Sequence, residues 1–274
     1  SLLKSRRNER PEQEAKESEL FQVAKKKVAE DKQTFLISWA QNATPIHKNF
    51  VKNLKAYAKE LDAGIHIIAG RYSNPTSVFA DKDQDWWSPK VVPFLDAARH
   101  NIHPLLQVLS DVKIPPTAST PLSGLNSVTG LESCIVGHPR QQVKSLPILD
   151  GYPSKLLLST GACTVANYTD SKSGKKGEFH HSIGFTIVEL DGDLFHIRQV
   201  SADKRGNFYD LFKRVKNGVV SDNVEGAEVA VLGDIHIAHN DELATKVSFD
   251  LLDKMKPNHT MLHDIIDCES ISHH

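Results

Sequence analysis

Val229-Ala-Val-Leu-Gly-Asp-Ile-His-Ile-Ala-His239 is a short apolar run that ends on an acid and a base two residues apart. Alternate residues of a strand point the same way, so a strand ending in Asp234-Ile235-His236 presents both side chains on one face. A carboxylate oxygen and an imidazole nitrogen placed in that way are donors for one hard or borderline divalent cation. Further along, Leu262-His-Asp-Ile-Ile-Asp267 brings two more carboxylates, Asp264 and Asp267.

The residues between the two clusters read as a connecting helix. Leu243, Val247, Leu251 and Met255 recur at the spacing of one helical face, with Asn240 or Asp241 as N-cap and Pro257 as the stop. Thr260-Met-Leu-His263 follows as the next strand. The predicted order is strand, helix, strand, with both acidic clusters at the carboxyl ends of their strands. In open α/β sheets that edge is where ligands bind.

On these residues, 228–274 resembles the opening of a calcineurin-like metallophosphoesterase domain, whose fold is a β-sandwich flanked by helices. The family's first block, Asp-x-His, matches as Asp234-Ile235-His236. Its second, Gly-Asp-x-x-Asp, matches as Asp264-Ile265-Ile266-Asp267, with His263 where the family carries glycine. The resemblance implies that Asp234 and His236 bind one metal and that Asp264 bridges two, these three being the catalytic ligands. Asp267 would support them from behind, and His239, on the loop just past the first strand, would touch a phosphate. It implies two divalent ions, Mn²⁺ foremost, and hydrolysis of a phosphoester by in-line attack. The family's later ligand blocks do not occur before His274, so the resemblance also implies a longer polypeptide that supplies the remaining ligands.

Composition bounds the rest. The chain has 274 residues, 39% of them hydrophobic, enough for one or two cored domains. A formal net charge of −1 gives no bulk attraction for nucleic acid, so any such contact must come from local patches. Cys134, Cys163 and Cys268 are too few and too dispersed for a disulfide framework or a cysteine-rich zinc site, which fits a reducing, cytoplasmic compartment. No apolar run approaches the length of a membrane span and no leader is visible at Ser1.

Four segments are expected. Residues 1–32 form a charged helical segment whose Arg6, Arg7 and Arg10 read either as phosphate contacts or as a solvated face. Residues 33–212 form an α/β domain of unassigned role. It opens with a strand at 34–39, a helix over 47–61 capped at Thr44-Pro45, and a strand at 64–69. Further strands are expected within 105–112, 134–137 and 156–161. Asp191-Gly192-Asp193 joins strands over 179–190 and 194–200 as a hairpin. The basic stretch 171–177 reads as a solvated hairpin tip. Arg71-Tyr72 and Gly137-His138-Pro139-Arg140 are secondary places for a phosphate, and of the adjacent Trp86 and Trp87 only one can face a core. Residues 213–227 read as a linker, and 228–274 as the start of the metallophosphoesterase-like domain. No internal sequence repeat is visible.

The functional expectation is a metal-dependent phosphodiester hydrolase with a two-metal centre. The layout also resembles large phage-encoded DNases of this family, which implies DNA as substrate, no membrane partner and the host cytoplasm as the place of action. Homo-oligomerisation is left open. Two alternatives stand beside this one: a phosphoprotein or small-molecule phosphatase of the same family, and a non-catalytic nucleic-acid-binding scaffold, to which the His263 departure points.

Overall fold

Thr34–Gln41 is apolar at most positions, the composition of a strand covered on both faces. In a computed structural model that describes residues 33–71, 86–147, 154–223, 225–237 and 239–266, this segment is β1, buried at every residue after the first. The charged segment 1–32, Tyr72, Asp267, Cys268, His273 and His274 lie outside the described residues. The described residues divide into two compact units, 33–208 with 215–220, and 209–214 with 221–266.

In the first unit α1 (Lys48–Glu60) carries the chain from β1 to β2 (Gly64–Gly70), which lies parallel to β1 with Phe35 opposite Gly64 and Gln41 opposite Gly70. The helix is capped by His47, whose Nδ1 accepts the Phe50 N–H at 3.2 Å, and not at Thr44-Pro45 as the sequence suggested. Thr44 instead turns its hydroxyl back to the Asn42 carbonyl. Next come β3 (Leu95–Asp96), β4 (Arg99–His103), β5 (Leu106–Leu109), β6 (Ser133–Val136), β7 (Val143–Leu146) and β8 (Lys155–Ser159). After α2 (Lys172–His180), β9 (Gly184–Asp191) and β10 (Leu194–Ser201) close the unit's larger elements.

These strands make two five-stranded sheets, ordered β10-β9-β1-β2-β3 and β4-β5-β6-β8-β7. The period of two in β1 decides the layering. Leu36 and Ala40 belong to one core with Phe50, Leu54 and Tyr57 of α1. Phe35, Ile37 and Trp39 belong to another with Leu106, Val108 and Ile135 of the second sheet. The first sheet is thus the middle of three layers, helix, sheet and sheet, and the fold class is α/β. Phe50, Tyr57, Phe185 and Phe208 pack edge-on or tilted, with Phe185 and Phe208 centroids 5.1 Å apart, and seal the helix layer. Trp87 is buried with its indole N–H on the Ala40 carbonyl, while Trp86 is only partly buried, so the pair divides as strand geometry required. Cys134 and Cys163 are free and buried.

The hairpin at Asp191 forms as expected, with Asp191 opposite Leu194 and Gly192 at φ +60. The strand expected from Phe179 does not begin until Gly184. In its place the basic stretch folds as α2, started by Ser171, whose hydroxyl accepts the Gly174 N–H at 3.0 Å. Gly174 and Gly177 are buried within it. A Cβ at Gly174 would fall 2.1 Å from the Thr169 carbonyl oxygen, so glycine here serves close approach and not a flexible tip. The stretch expected to be a linker carries β12 (Lys213–Lys216) and β13 (Val219–Asp222), which with β11 (Phe208–Asp210) form a three-stranded sheet.

In the second unit β14 (Val229–Asp234) and β15 (His259–His263) run parallel, joined by α3 (Glu242–Met255). Asp241 caps the helix, its Oδ1 accepting the Ala244 N–H at 2.8 Å, and Lys256 ends it in the left-handed region at φ +47, just before Pro257. Leu243, Val247 and Leu251, which define the amphipathic pattern of the helix, are exposed. Among the described residues no helix is long and apolar enough to cross a membrane.

Candidate metal centre

Beyond their last paired residues, β14 and β15 stay joined by backbone hydrogen bonds. The Ile235 N–H faces the His263 carbonyl at 3.3 Å and the Asp264 carbonyl at 3.1 Å, His236 N–H donates to Asp264 at 3.0 Å, and Ile237 N–H donates to Ile265 at 2.9 Å. The ladder is irregular between Leu232 and Asp234, so that Asp234 comes opposite His263. His236 at φ +47 and Asp264 at φ +39 both sit in the left-handed region. The chain thus turns sharply on both strands at the same level, which brings the ends of the two sequence motifs together.

Asp234, His263 and Asp264 each offer a donor atom, all within 4.8 Å of one another. His263 Nδ1 lies 2.6 Å from Asp234 Oδ1 and 3.7 Å from Asp264 Oδ2, and His236 Nε2 lies 3.9 Å from Asp234 Oδ2. All four side chains reach solvent. His263, noted in the sequence only as a substitution for glycine, is here a donor that holds the first aspartate. Its hydrogen bond with Asp234, reinforced by the charges of Asp264 and Asp234, raises the His263 pKa above the usual histidine range. His239 is exposed and closes the turn by donating its backbone N–H to the His236 carbonyl at 2.9 Å. Asp267 lies outside the described residues. A cleft of about 230 Å³ opens beside Asp234, between Gly233-Asp234-Ile235 and the Asn240, Asp241, Ala244 and Ser248 side of α3.

The converging set is two carboxylates and one imidazole, Asp234, Asp264 and His263, a mixed oxygen and nitrogen set suited to manganese, iron or zinc, and His236, expected as a ligand, stands outside it at 3.9 Å from Asp234. The carboxylates suit a divalent ion, and an exposed edge gives it access. The His263 ring already occupies Asp234 Oδ1 and would have to turn for that oxygen to meet an ion.

The same crossover occurs in the first unit. There the residue two past the end of the first strand is also left-handed, Ala43 at φ +48 after Gln41, as His236 follows Asp234. There too the next N–H reaches across to the second strand, Asn42 to the Gly70 carbonyl at 3.0 Å. The correspondence sets Gln41 against Asp234, Ala43 against His236, Gly70 against His263 and Arg71 against Asp264. No pair is identical, which is why the repeat is visible in backbone and not in sequence. An amide, a methyl and a guanidinium stand where the second unit has its donors. Arg71 Nη2 donates to the Ser110 and Asp111 carbonyls at 3.1 Å each.

Of His138 and Arg140, expected as a secondary phosphate place, His138 faces inward and Arg140 is partly exposed. His138 is fully buried, with Nδ1 accepting the Arg140 N–H and Nε2 on the Pro115 carbonyl. Burial pushes its pKa down to about 4, so it is neutral and no anion receptor. Arg140 binds the Ser119 carbonyl through Nη1, which also lies 3.4 Å from His180 Nε2.

Fold and site together define an α/β protein with a carboxylate and imidazole cluster at the carboxyl edge of a parallel strand pair. No protein-family model matches the sequence. Over 259 residues the chain is 29% identical to Protein A1 of Escherichia phage T5, an alignment that covers 88% of this chain and 46% of that protein. The chain therefore spans about half the length of the curated relative it matches. Vps29 of Chaetomium thermophilum superposes loosely, at TM-score 0.35 and 12% identity over 65% of this chain and 94% of that one.

Proposed function

We propose that this chain is part of a metal-dependent phosphodiester hydrolase acting on DNA in the host cytoplasm, with Asp234, His236 and Asp264 as its metal ligands. The observation that carries the reading is the convergence of Asp234, His263 and Asp264 within 4.8 Å at the ends of two adjacent parallel strands. The similarity to a phage protein supports the biological setting. Asp234, His236 and Asp264 would hold divalent cations, two of them with Mn²⁺ the first choice, which when bound would supply a nucleophile at neutral pH and offset charge on phosphorus.

The chain's own residues supply the rest. Asp234 and Asp264 concentrate negative charge at an exposed edge that would repel a phosphate on its own, so a substrate can approach only when cations are held there. His263, hydrogen-bonded to Asp234, fixes that carboxylate's direction and keeps a proton at Nδ1. His239, exposed on the loop that leaves β14, is the residue assigned to meet a substrate phosphate.

Incubating the complete polypeptide with plasmid DNA and Mn²⁺, beside Asp234→Ala, tests the reading. The expected outcome is cutting by the unaltered protein and at least a 100-fold loss in the variant; equal cutting by both removes the site assignment. Hydrolysis of small aryl phosphates without DNA cleavage would mark the phosphatase alternative. The scaffold alternative draws on the His263 ring at 2.6 Å from Asp234, and would show as a protein that retains no stoichiometric divalent ion.

A further inference from the structure

A second group of donors lies in the first unit, inside the fold. Ile68 of β2 is paired with Asp96 of β3, and His66 stands two residues before Ile68, so His66 and Asp96 share a face. His100 of β4 follows Asp96 by four residues and returns to the same place. Asp96 Oδ2 lies 3.8 Å from His66 Nδ1 and 3.5 Å from His100 Nδ1, and one donor atom from each residue lies within 4.8 Å of the others. His66 and Asp96 are buried, at 3% and 7% exposure, while His100 is partly exposed.

These separations are long for N–H···O hydrogen bonds, which run about 2.7–3.2 Å. They are close to the spacing of donors around one ion: two bonds of about 2.0–2.1 Å at a tetrahedral angle place their donor atoms roughly 3.4 Å apart. The carboxylate is already aimed. Its Oδ1 accepts the Ala98 N–H at 3.1 Å and its Oδ2 accepts the Ser110 hydroxyl at 2.8 Å, the outer support that metal ligands commonly have. His100 Nδ1 faces the Ala98 carbonyl at 3.1 Å, and its Nε2 is buried without a hydrogen-bond partner. The His66 and His100 rings stack, centroids 5.5 Å apart. Asp96 is a buried carboxylate, and among the described residues the basic groups beside it are these two rings.

We propose that His66, Asp96 and His100 bind a single divalent cation of the zinc class, which ties β2, β3 and β4 together. Two imidazoles and one carboxylate favour zinc over harder ions such as magnesium or calcium. The partly exposed side of His100 gives the ion its way in and leaves a fourth position to water. The tie is structural, separate from the exposed centre in the other unit.

The test uses the full chain carrying Asp234→Ala and Asp264→Ala, which removes the exposed cluster. After chelator treatment and dialysis against Co²⁺, it should retain one equivalent with the intense visible absorption of a four-coordinate ion, and Zn²⁺ should raise its thermal midpoint. Adding His100→Ala should weaken binding at least 100-fold and abolish the midpoint shift. His100 is the least buried of the three ligands, so its truncation is the one best tolerated by the fold, which far-ultraviolet circular dichroism checks. Should that variant not fold, Co²⁺ retention and the Zn²⁺ shift in its parent still decide the matter. Absence of both in the parent overturns the proposal, as does equal retention with and without His100. The exposed centre's own test reads DNA cutting lost with Asp234→Ala, whereas this one reads metal retention lost with His100→Ala, so each can fail alone.

Discussion

His236→Gly separates the conformational demand at the centre from its chemical demand. His236 is held at φ +47, where an L residue other than glycine costs about 1–2 kcal/mol, with histidine toward the lower end because it visits this region more readily than most. Glycine removes that strain but gives back about 0.5–1 kcal/mol through the greater freedom of the unfolded chain. The substitution also removes the approach of His236 Nε2 to Asp234 Oδ2 at 3.9 Å, which joins half-exposed side chains and is worth at most a few tenths of a kcal/mol. The glycine variant is therefore expected to be about as stable as the parent, within roughly 0.5 kcal/mol. His236→Ala keeps the strain and lacks the same ion pair, so it should fall about 1 kcal/mol below the glycine variant. Amide exchange at His236 and Ile237, whose N–H groups bond the Asp264 and Ile265 carbonyls, reads the local opening free energy directly. Metal retention of the complete polypeptide is measured alongside, and both variants should retain less than the parent. An alanine variant as protected as the glycine one, or undiminished retention in both, refutes the reasoning.

Two further outcomes concern the first unit. Gln141 Nε2 reaches the Thr160, Phe185 and Val200 carbonyls at 3.1–3.3 Å while its Oε1 accepts from the Ser182 and Ser201 hydroxyls, so Gln141→Ala should cost about 2–4 kcal/mol in urea unfolding. A loss below about 1 kcal/mol would show the clamp to be dispensable. Burial pushes the pKa of both His138 and His181 down to about 4, so each stays neutral in the native state while the unfolded chain binds a proton below its ordinary histidine value. Stability should therefore be full at pH 7 and fall progressively between about pH 6.5 and 4, by on the order of 3 kcal/mol per histidine. The urea midpoint should track that window, and His181→Gln should flatten the dependence; an unchanged slope would be contrary.

How much was legible follows the physics of each signal. The crossover at 229–263 was readable to within a few residues because its apolar spacing, its Asp241 cap and its Pro257 stop are local. The strand at 34–41 was readable for the same reason. The α2 helix was not, because Lys172-Ser-Gly-Lys-Lys-Gly has the composition of a loop and becomes helical only where the Ser171 cap and close contact with Thr169 and Tyr168 reward its glycines. Short strands such as β3 and β7 carry too few residues to show a period. The nearness of Asp234 and Asp264 was readable from pattern, whereas the nearness of His263 to both depends on a strand register that no local pattern encodes. His66, Asp96 and His100 escaped for a like reason: they come from three strands, and only pairing makes them neighbours.

The paired crossovers separate the shape of a turn from its chemistry in this molecule. A turn that keeps its left-handed residue and its cross-strand N–H while Asp, His and Asp give way to Gln, Ala and Arg is shaped by backbone bonding, and its chemistry is a separate layer laid over that shape. Turns of this kind are better matched by dihedral angles than by letters, and reactivity has to be judged site by site.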